Sequence, residues 1–215
     1  PSGTKIAGGG GGGAGIGKAF VQNISDGSMY WEHPMSASVP SSGPIVVDAN
    51  GSSGGGEQLV VSTRTGSDKA KVVRFGLDGA VIAESSELAV GSVVSVYNDS
   101  QFPTSVAGTH GQLYVVDTGG QLFVMSQQFA SNAQADWAVA LPSGQLGTVT
   151  SSPTISCNFN KPSSQTGVLY IATESGWLLS YLVDSRGLDT TAPWPKYQHD
   201  VRNTGNLGTT IEACP

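Results

Sequence analysis

Residues 48–57, Asp48-Ala-Asn-Gly-Ser-Ser-Gly-Gly-Gly-Glu57, have the strongest claim to chemistry. Calcium takes several oxygen ligands, and glycines let a loop curl around the ion. Asp48, Asn50, Ser52 and Glu57 offer side-chain oxygens in that pattern, so calcium is the candidate ion for this loop. The favoured reading is a glycine-rich connection between strands that binds no metal. A second candidate, Gly12-Gly-Ala-Gly-Ile-Gly-Lys18, nearly spells a phosphate loop. A true phosphate loop follows an apolar strand and opens a helix. Here the strand-like Phe20-Val-Gln follows, and Ala19 stands where a Ser or Thr would hold magnesium, so the run reads as a flexible loop. The histidines His33, His110 and His199 are not at zinc spacing with another His or Cys. No G-x-S-x-G nucleophile elbow occurs, and no catalytic residue is assigned. Cys157 and Cys214, in a lysine-poor chain rich in Ser, Thr and Gly, point to a disulfide in an oxidising compartment, with two thiols as the alternative. Asn23-Ile-Ser, Asn50-Gly-Ser and Asn98-Asp-Ser match the glycosylation acceptor pattern.

The elements that position these residues repeat. Gly111-Gln-Leu-Tyr-Val-Val-Asp-Thr-Gly-Gly-Gln-Leu122 is echoed by Gly167-Val-Leu-Tyr-Ile-Ala-Thr-Glu-Ser-Gly-Trp-Leu178. Each copy lies between a Pro (Pro103, Pro153) and a Trp (Trp137, Trp194). Strand-rich repeats of roughly 40–50 residues signal propeller blades. The chain has 215 residues, 30 of them Gly, with only 12% charged, which suits turn-rich β structure. The spacing predicts an all-β propeller of four-stranded blades at about 18–40, 41–91, 92–147 and 148–206. A glycine-rich flexible segment (1–17) precedes them, and a tail (207–215) tethered by the disulfide follows. Asp26-Gly27 and Asp78-Gly79 are hairpin turn signals, and Gly111, Gly120, Gly167 and Gly176 mark further turns. Trp31, Trp137 and Trp194 are expected on outer strands, packed between neighbouring blades. The second blade has Ile82 near the corresponding place. No sustained helical period appears, so almost no helix is expected.

The segment Trp194-Pro-Lys-Tyr-Gln-His-Asp-Val-Arg-Asn-Thr-Gly205 resembles the W-P-x-[FY]-x-H-D-x-x-x-T-G stretch of bacterial quinoprotein-like (PQQ-like) β-propellers. The second blade resembles an FG-GAP or integrin-type repeat: Pro44-Ile-Val-Val-Asp48-Ala-Asn50-Gly51, then Glu57-Gln-Leu-Val-Val61. Against that pattern Ser52 replaces an acidic or amide ligand, and Glu57 falls about one residue late. The resemblance implies a propeller of seven or eight blades, of which this chain would be part. It also implies that His199 and Asp200 are structural, tying the closing strand to a neighbouring blade. No cluster matches the residues that hold the quinone on a propeller axis, so PQQ is not expected.

The net charge is −6, and the 10 Lys and Arg are scattered. This excludes a nucleic-acid surface, which needs clustered cations. No stretch approaches the ~20 apolar residues of a membrane span. The expectation is a non-catalytic extracytoplasmic module (periplasmic, cell-surface or secreted) for binding or scaffolding. Its partners would be the remaining blades, another protein chain or an extracellular ligand. A calcium-dependent adhesin and a fragment of a quinoprotein oxidoreductase are the alternatives.

Overall fold

A computed structural model describes residues 5–11, 17–35, 44–48, 56–64, 69–89, 104–108, 111–116, 121–140, 149, 152–160, 165–196, 199–206 and 208–214. These form antiparallel sheets in chain order. The first holds β1 (Lys5–Gly11), β2 (Gly17–Asn23) and β3 (Met29–Pro34). The second holds β4 (Ile45–Asp48), β5 (Glu57–Arg64), β6 (Lys69–Gly76) and β7 (Val81–Glu84), with β8 (Leu88–Ala89) beside the start of β6. The third holds β9 (Thr104–Gly108), β10 (Gln112–Val116), β11 (Gln121–Ser126) and β12 (Trp137–Ala140). The fourth holds β13 (Thr154–Cys157), β14 (Gly167–Ala172) and β15 (Leu178–Val183). Among the described residues there is no α-helix, and no helix long and apolar enough to cross a membrane.

Period-two alternation explains how these sheets stack. In the second sheet, Val46, Leu59, Val61, Val73 and Phe75 face the first sheet, where they meet Ala19, Val21 and Trp31. Ile45, Val47, Val60 and Val72 point the other way, onto Ala107, Leu113, Val115, Phe123 and Met125 of the third sheet. The opposite face of that third sheet carries Tyr114, Val116, Leu122 and Val124, which meet Ile155, Leu169, Ile171 and Val183 of the fourth. The middle sheets are therefore covered on both faces, which is why β10 and β11 read as unbroken apolar runs. Antiparallel meanders of three to five described strands, stacked face to face in chain order, make this an all-β fold of propeller type.

Two expectations are corrected. The glycine-rich segment expected to be flexible forms β1 over Lys5–Gly11, paired in register with β2 from Lys5↔Asn23 to Gly11↔Gly17. A ladder needs only backbone groups, so glycine's entropic cost is met by docking onto a strand whose Ala19 and Val21 are already anchored. Ala7 adds its own contact to the same core. Residues 12–16 lie outside the described residues, while Lys18 belongs to β2 and pairs with Glu32 at 2.9 Å. The second correction concerns the fourth sheet, whose described part is three strands. Trp194 does not add an outer strand to it but bonds to β4 of the second sheet.

Candidate functional site

The polar chemistry of the described chain gathers along one segment, residues 185–204, which follows β15 and returns across the other sheets. It closes the free edges of two first strands. Asp189 N donates to Ala107 O at 3.0 Å, and Ala107 N donates to Pro195 O at 2.7 Å, beside β9. At β4, Val46 N donates to Trp194 O at 2.8 Å and Trp194 N returns a bond to Val46 O at 3.1 Å. Unpaired strand edges are aggregation hazards and carry unmet backbone groups; this segment satisfies both edges.

Side chains lock it down. Gln127 is buried, and its Nε2 lies 3.0 Å from Gly108 O, 3.2 Å from Gln112 O and 3.1 Å from Asp189 Oδ2. The other oxygen of Asp189 accepts from Thr191 N at 2.9 Å and Thr191 Oγ1 at 2.6 Å, an Asx turn that starts the return run. Arg74, on β6, donates to Gln127 O at 3.2 Å and stacks over Phe129 with 5.2 Å to the ring centre. Burial pushes the Arg74 guanidinium below its ordinary range. Tyr114 OH donates to Ser185 Oγ at 2.9 Å across the third and fourth sheets. Burial raises its phenol, the Ser185 bond opposes that, and the nearby Asp184 charge raises it further.

Beyond Trp194 the chain makes a buried polar knot. Lys196, His199 and Asp200 are each 3% exposed. Lys196 Nζ donates to Asp200 O at 3.3 Å and to Asn203 Oδ1. Asp200 Oδ1 accepts from Arg202 N at 2.7 Å and Thr204 N at 3.3 Å, while Oδ2 accepts from Thr204 Oγ1. His199 Nδ1 lies 3.5 Å from Oδ2, and the imidazole sits 5.0 Å from the Trp194 ring. His199 has φ of 75°, in the left-handed region that β-unbranched polar residues visit only when held there. Burial alone would raise the Asp200 carboxyl; bonds from Thr204 and Arg202, with His199 alongside, overcome it and bring it to about 2. Lys196 is lowered by burial and raised again by Asp200. The knot is enclosed: Lys196 and Asp200 are bonded to the backbone that they shape, while His199 Nδ1 is buried without a hydrogen-bond partner among the described residues.

The remaining sequence-predicted residues fall elsewhere. Asp48 and Glu57 are backbone register partners in β4 and β5, at the mouth of their loop. Asn50 and Ser52 lie outside the described residues. Among the described residues no group of three or more His, Cys, Asp or Glu could hold a metal. Trp31 Nε1 donates to Leu77 O at 2.9 Å, and its indole covers the turn at Gly79. Gly79 has φ of +87°, and a Cβ there would lie 2.8 Å from that ring, so the first and second sheets meet around a glycine. Trp137 opens β12 opposite Val124; its side chain, like Gly120 and His110, lies outside the described residues. Cys157 and Cys214 form a disulfide with Cα atoms 5.5 Å apart, joining the end of β13 to the tail. Asn23 spends its side-chain amide on Ser28 Oγ at 2.8 Å inside a hairpin. Gln127, Asp189, Arg74 and Ser185 were not singled out by sequence. Only Asp189-Thr-Thr191 carries a local signal, the Asx-turn spacing.

No family model matches the chain, and no curated protein sequence matches it. Among solved structures, the crystal structure of BamB from Moraxella catarrhalis is similar at 15% identity and a TM-score of 0.29, over 82% of this chain and 62% of that one. The chain thus spans less than two thirds of that protein's length.

Proposed function

We propose that the chain is a non-catalytic, extracytoplasmic propeller module of the PQQ-like kind that scaffolds an assembly by stacking against further blades or another protein chain. One observation carries this reading. Tyr114, Val116 and Leu122 are buried beneath the fourth sheet. Their repeat counterparts Tyr170, Ala172 and Leu178 form the outward face of that fourth sheet, where Leu178 is 65% and Leu182 is 70% exposed. The repeat makes a stacking face, and on the last sheet Tyr170 and Ala172 are half-buried while Leu178 and Leu182 stand open. Exposed apolar faces of this kind mark protein contacts. The enclosure of Lys196, His199 and Asp200 supports a structural rather than catalytic use of the polar residues, and the disulfide supports an oxidising compartment.

The test replaces Leu178 and Leu182 together by Glu in the protein as its source makes it. Both side chains are exposed, so unfolding stability changes by no more than about 0.5 kcal/mol. The protein's sedimentation in native extract shifts from an assembly to the free chain. An unchanged sedimentation profile overturns the reading.

The second reading is a calcium-dependent adhesin, favoured by the cross-strand placement of Asp48 and Glu57 at the loop mouth. Calcium at a hundred times its dissociation constant then stabilises the fold by about 2.7 kcal/mol. Thermal melting detects this as an upward shift that Asp48→Ala abolishes. A melting curve that calcium leaves unmoved removes this reading.

A further inference from the structure

We infer that the outer edge of β15 is a strand-addition site, which takes an uncharged extended segment of another polypeptide in antiparallel register. The inference rests on the reading of the fourth sheet as a contact surface, and it names the partner's chemistry.

The backbone fixes which groups are on offer. Thr173 N donates to Trp177 O at 3.0 Å, so Trp177 turns its backbone toward β14. The register continues through Ile171↔Leu179 and Leu169↔Tyr181, so these residues also turn inward. In an antiparallel ladder the inward and outward groups alternate. Leu178, Ser180 and Leu182 therefore point their N–H and C=O groups away from β14. All three are exposed, and β15 is the last strand of its sheet among the described residues.

The third sheet shows what belongs there. Gln127 N donates to Gly111 O at 2.7 Å, which sets the same alternation on β11. Leu122 and Val124, the repeat counterparts of Leu178 and Ser180, turn outward. There Val124 O accepts from Asp136 N at 2.8 Å, and β12 is built on, with Leu122↔Val139 and Val124↔Trp137. The β12 sequence is Trp-Ala-Val-Ala, without charge on either face. The segment that fits β15 shares this character. One of its faces lies beside Leu179 and Tyr181, which are only partly buried against the core. Its other face lies beside Leu178, Ser180 and Leu182, which carry no charge. Main-chain bonds supply the affinity and the alternate side chains the preference, as in other strand-addition sites.

The test uses the full chain and a fluorescent peptide copying residues 136–141 (Asp-Trp-Ala-Val-Ala-Leu), with two lysines appended for solubility. The peptide binds saturably, read by anisotropy. N-methylation at the Trp137 and Val139 positions removes the donors that face the edge and weakens binding by about tenfold or more. Ser180→Pro removes an outward N–H that serves no bond to β14, a change tolerated on an edge strand, and weakens binding by a similar factor. Because the methylated peptide leaves the protein untouched, the test stands even where Ser180→Pro folds poorly. Absence of saturable binding, or equal binding of the methylated peptide, overturns the inference. So does a peptide-free dimer that Ser180→Pro dissolves, since a second β15 would then hold the edge. The scaffolding reading fails separately: it falls if Leu178→Glu with Leu182→Glu leaves the native assembly intact, whatever the peptide does.

Discussion

Asp200→Ala lowers the unfolding free energy by about 3–5 kcal/mol, the scale of losing one partner from a buried charged cluster. The carboxylate accepts from Arg202 N, Thr204 N and Thr204 Oγ1, and all three donors lose their acceptor together. Lys196, 3% exposed, also loses the negative charge that offsets its burial. Equilibrium denaturation in urea measures the loss directly. The pH dependence separates charge from shape. In the folded chain the carboxyl sits at about 2, against 3.8 in its ordinary state. A group depressed on folding binds more protons in the unfolded chain, so stability rises with pH across that interval. The Asp200 contribution is complete above roughly pH 4 and disappears as pH falls through 3.8 toward 2. Asp200→Asn keeps the shape and has no such titration, so its acid unfolding curve is flatter than that of the parent chain over this window. Parallel curves for the two proteins would remove the carboxylate from the account.

The strands of this fold were legible because their cues are local. Thr154–Cys157 and Gln121–Ser126 are apolar or β-branched runs bounded by turn residues, and the structure places strands at both. Asp26-Gly27 and Asp78-Gly79 announced hairpins because only glycine takes positive φ there without strain, and both glycines do (69° and 87°). The path of residues 185–195 was not legible. Trp194 sits where the repeat would place an outer strand, yet it bonds to Val46, far back in the chain, because β4 and β9 present edges that need partners. An edge to be covered is a property of the assembled sheets, and no window of sequence contains it. β1 was hidden for a related reason. Glycines carry no side-chain pattern, so only the partner strand reveals the pairing. The polar residues divide the same way. Asp200 was visible through its motif, whereas Gln127 gains its importance only when Gly108, Gln112 and Asp189 converge on it.

Replacing Cys214 by Ser lowers stability by about 4 kcal/mol, the chain-entropy value for a cross-link spanning a sequence separation of 57. The closed loop contains β14, β15, the segment that seals β4 and β9, and the Lys196–Asp200 knot. The tail also contributes Ile211 to the core between the third and fourth sheets. Urea denaturation with and without reductant, alongside Cys214→Ser with Cys157→Ser, measures the effect. An unchanged midpoint would show that the cross-link restrains nothing in the unfolded chain. The combination with Asp200→Ala is the sharper experiment. The disulfide acts on the unfolded state, by limiting its conformations, whereas Asp200 acts on the folded state, by satisfying buried donors. If the tail and closing segment stay docked without the cross-link, the two losses add to within about 0.5 kcal/mol. If the disulfide is what keeps residues 185–204 seated, the knot is already loosened in the disulfide-free protein, and Asp200→Ala then costs clearly less there than in the parent chain. The sign of that difference states whether the closing segment is held by its own hydrogen bonds or by the covalent strap behind it.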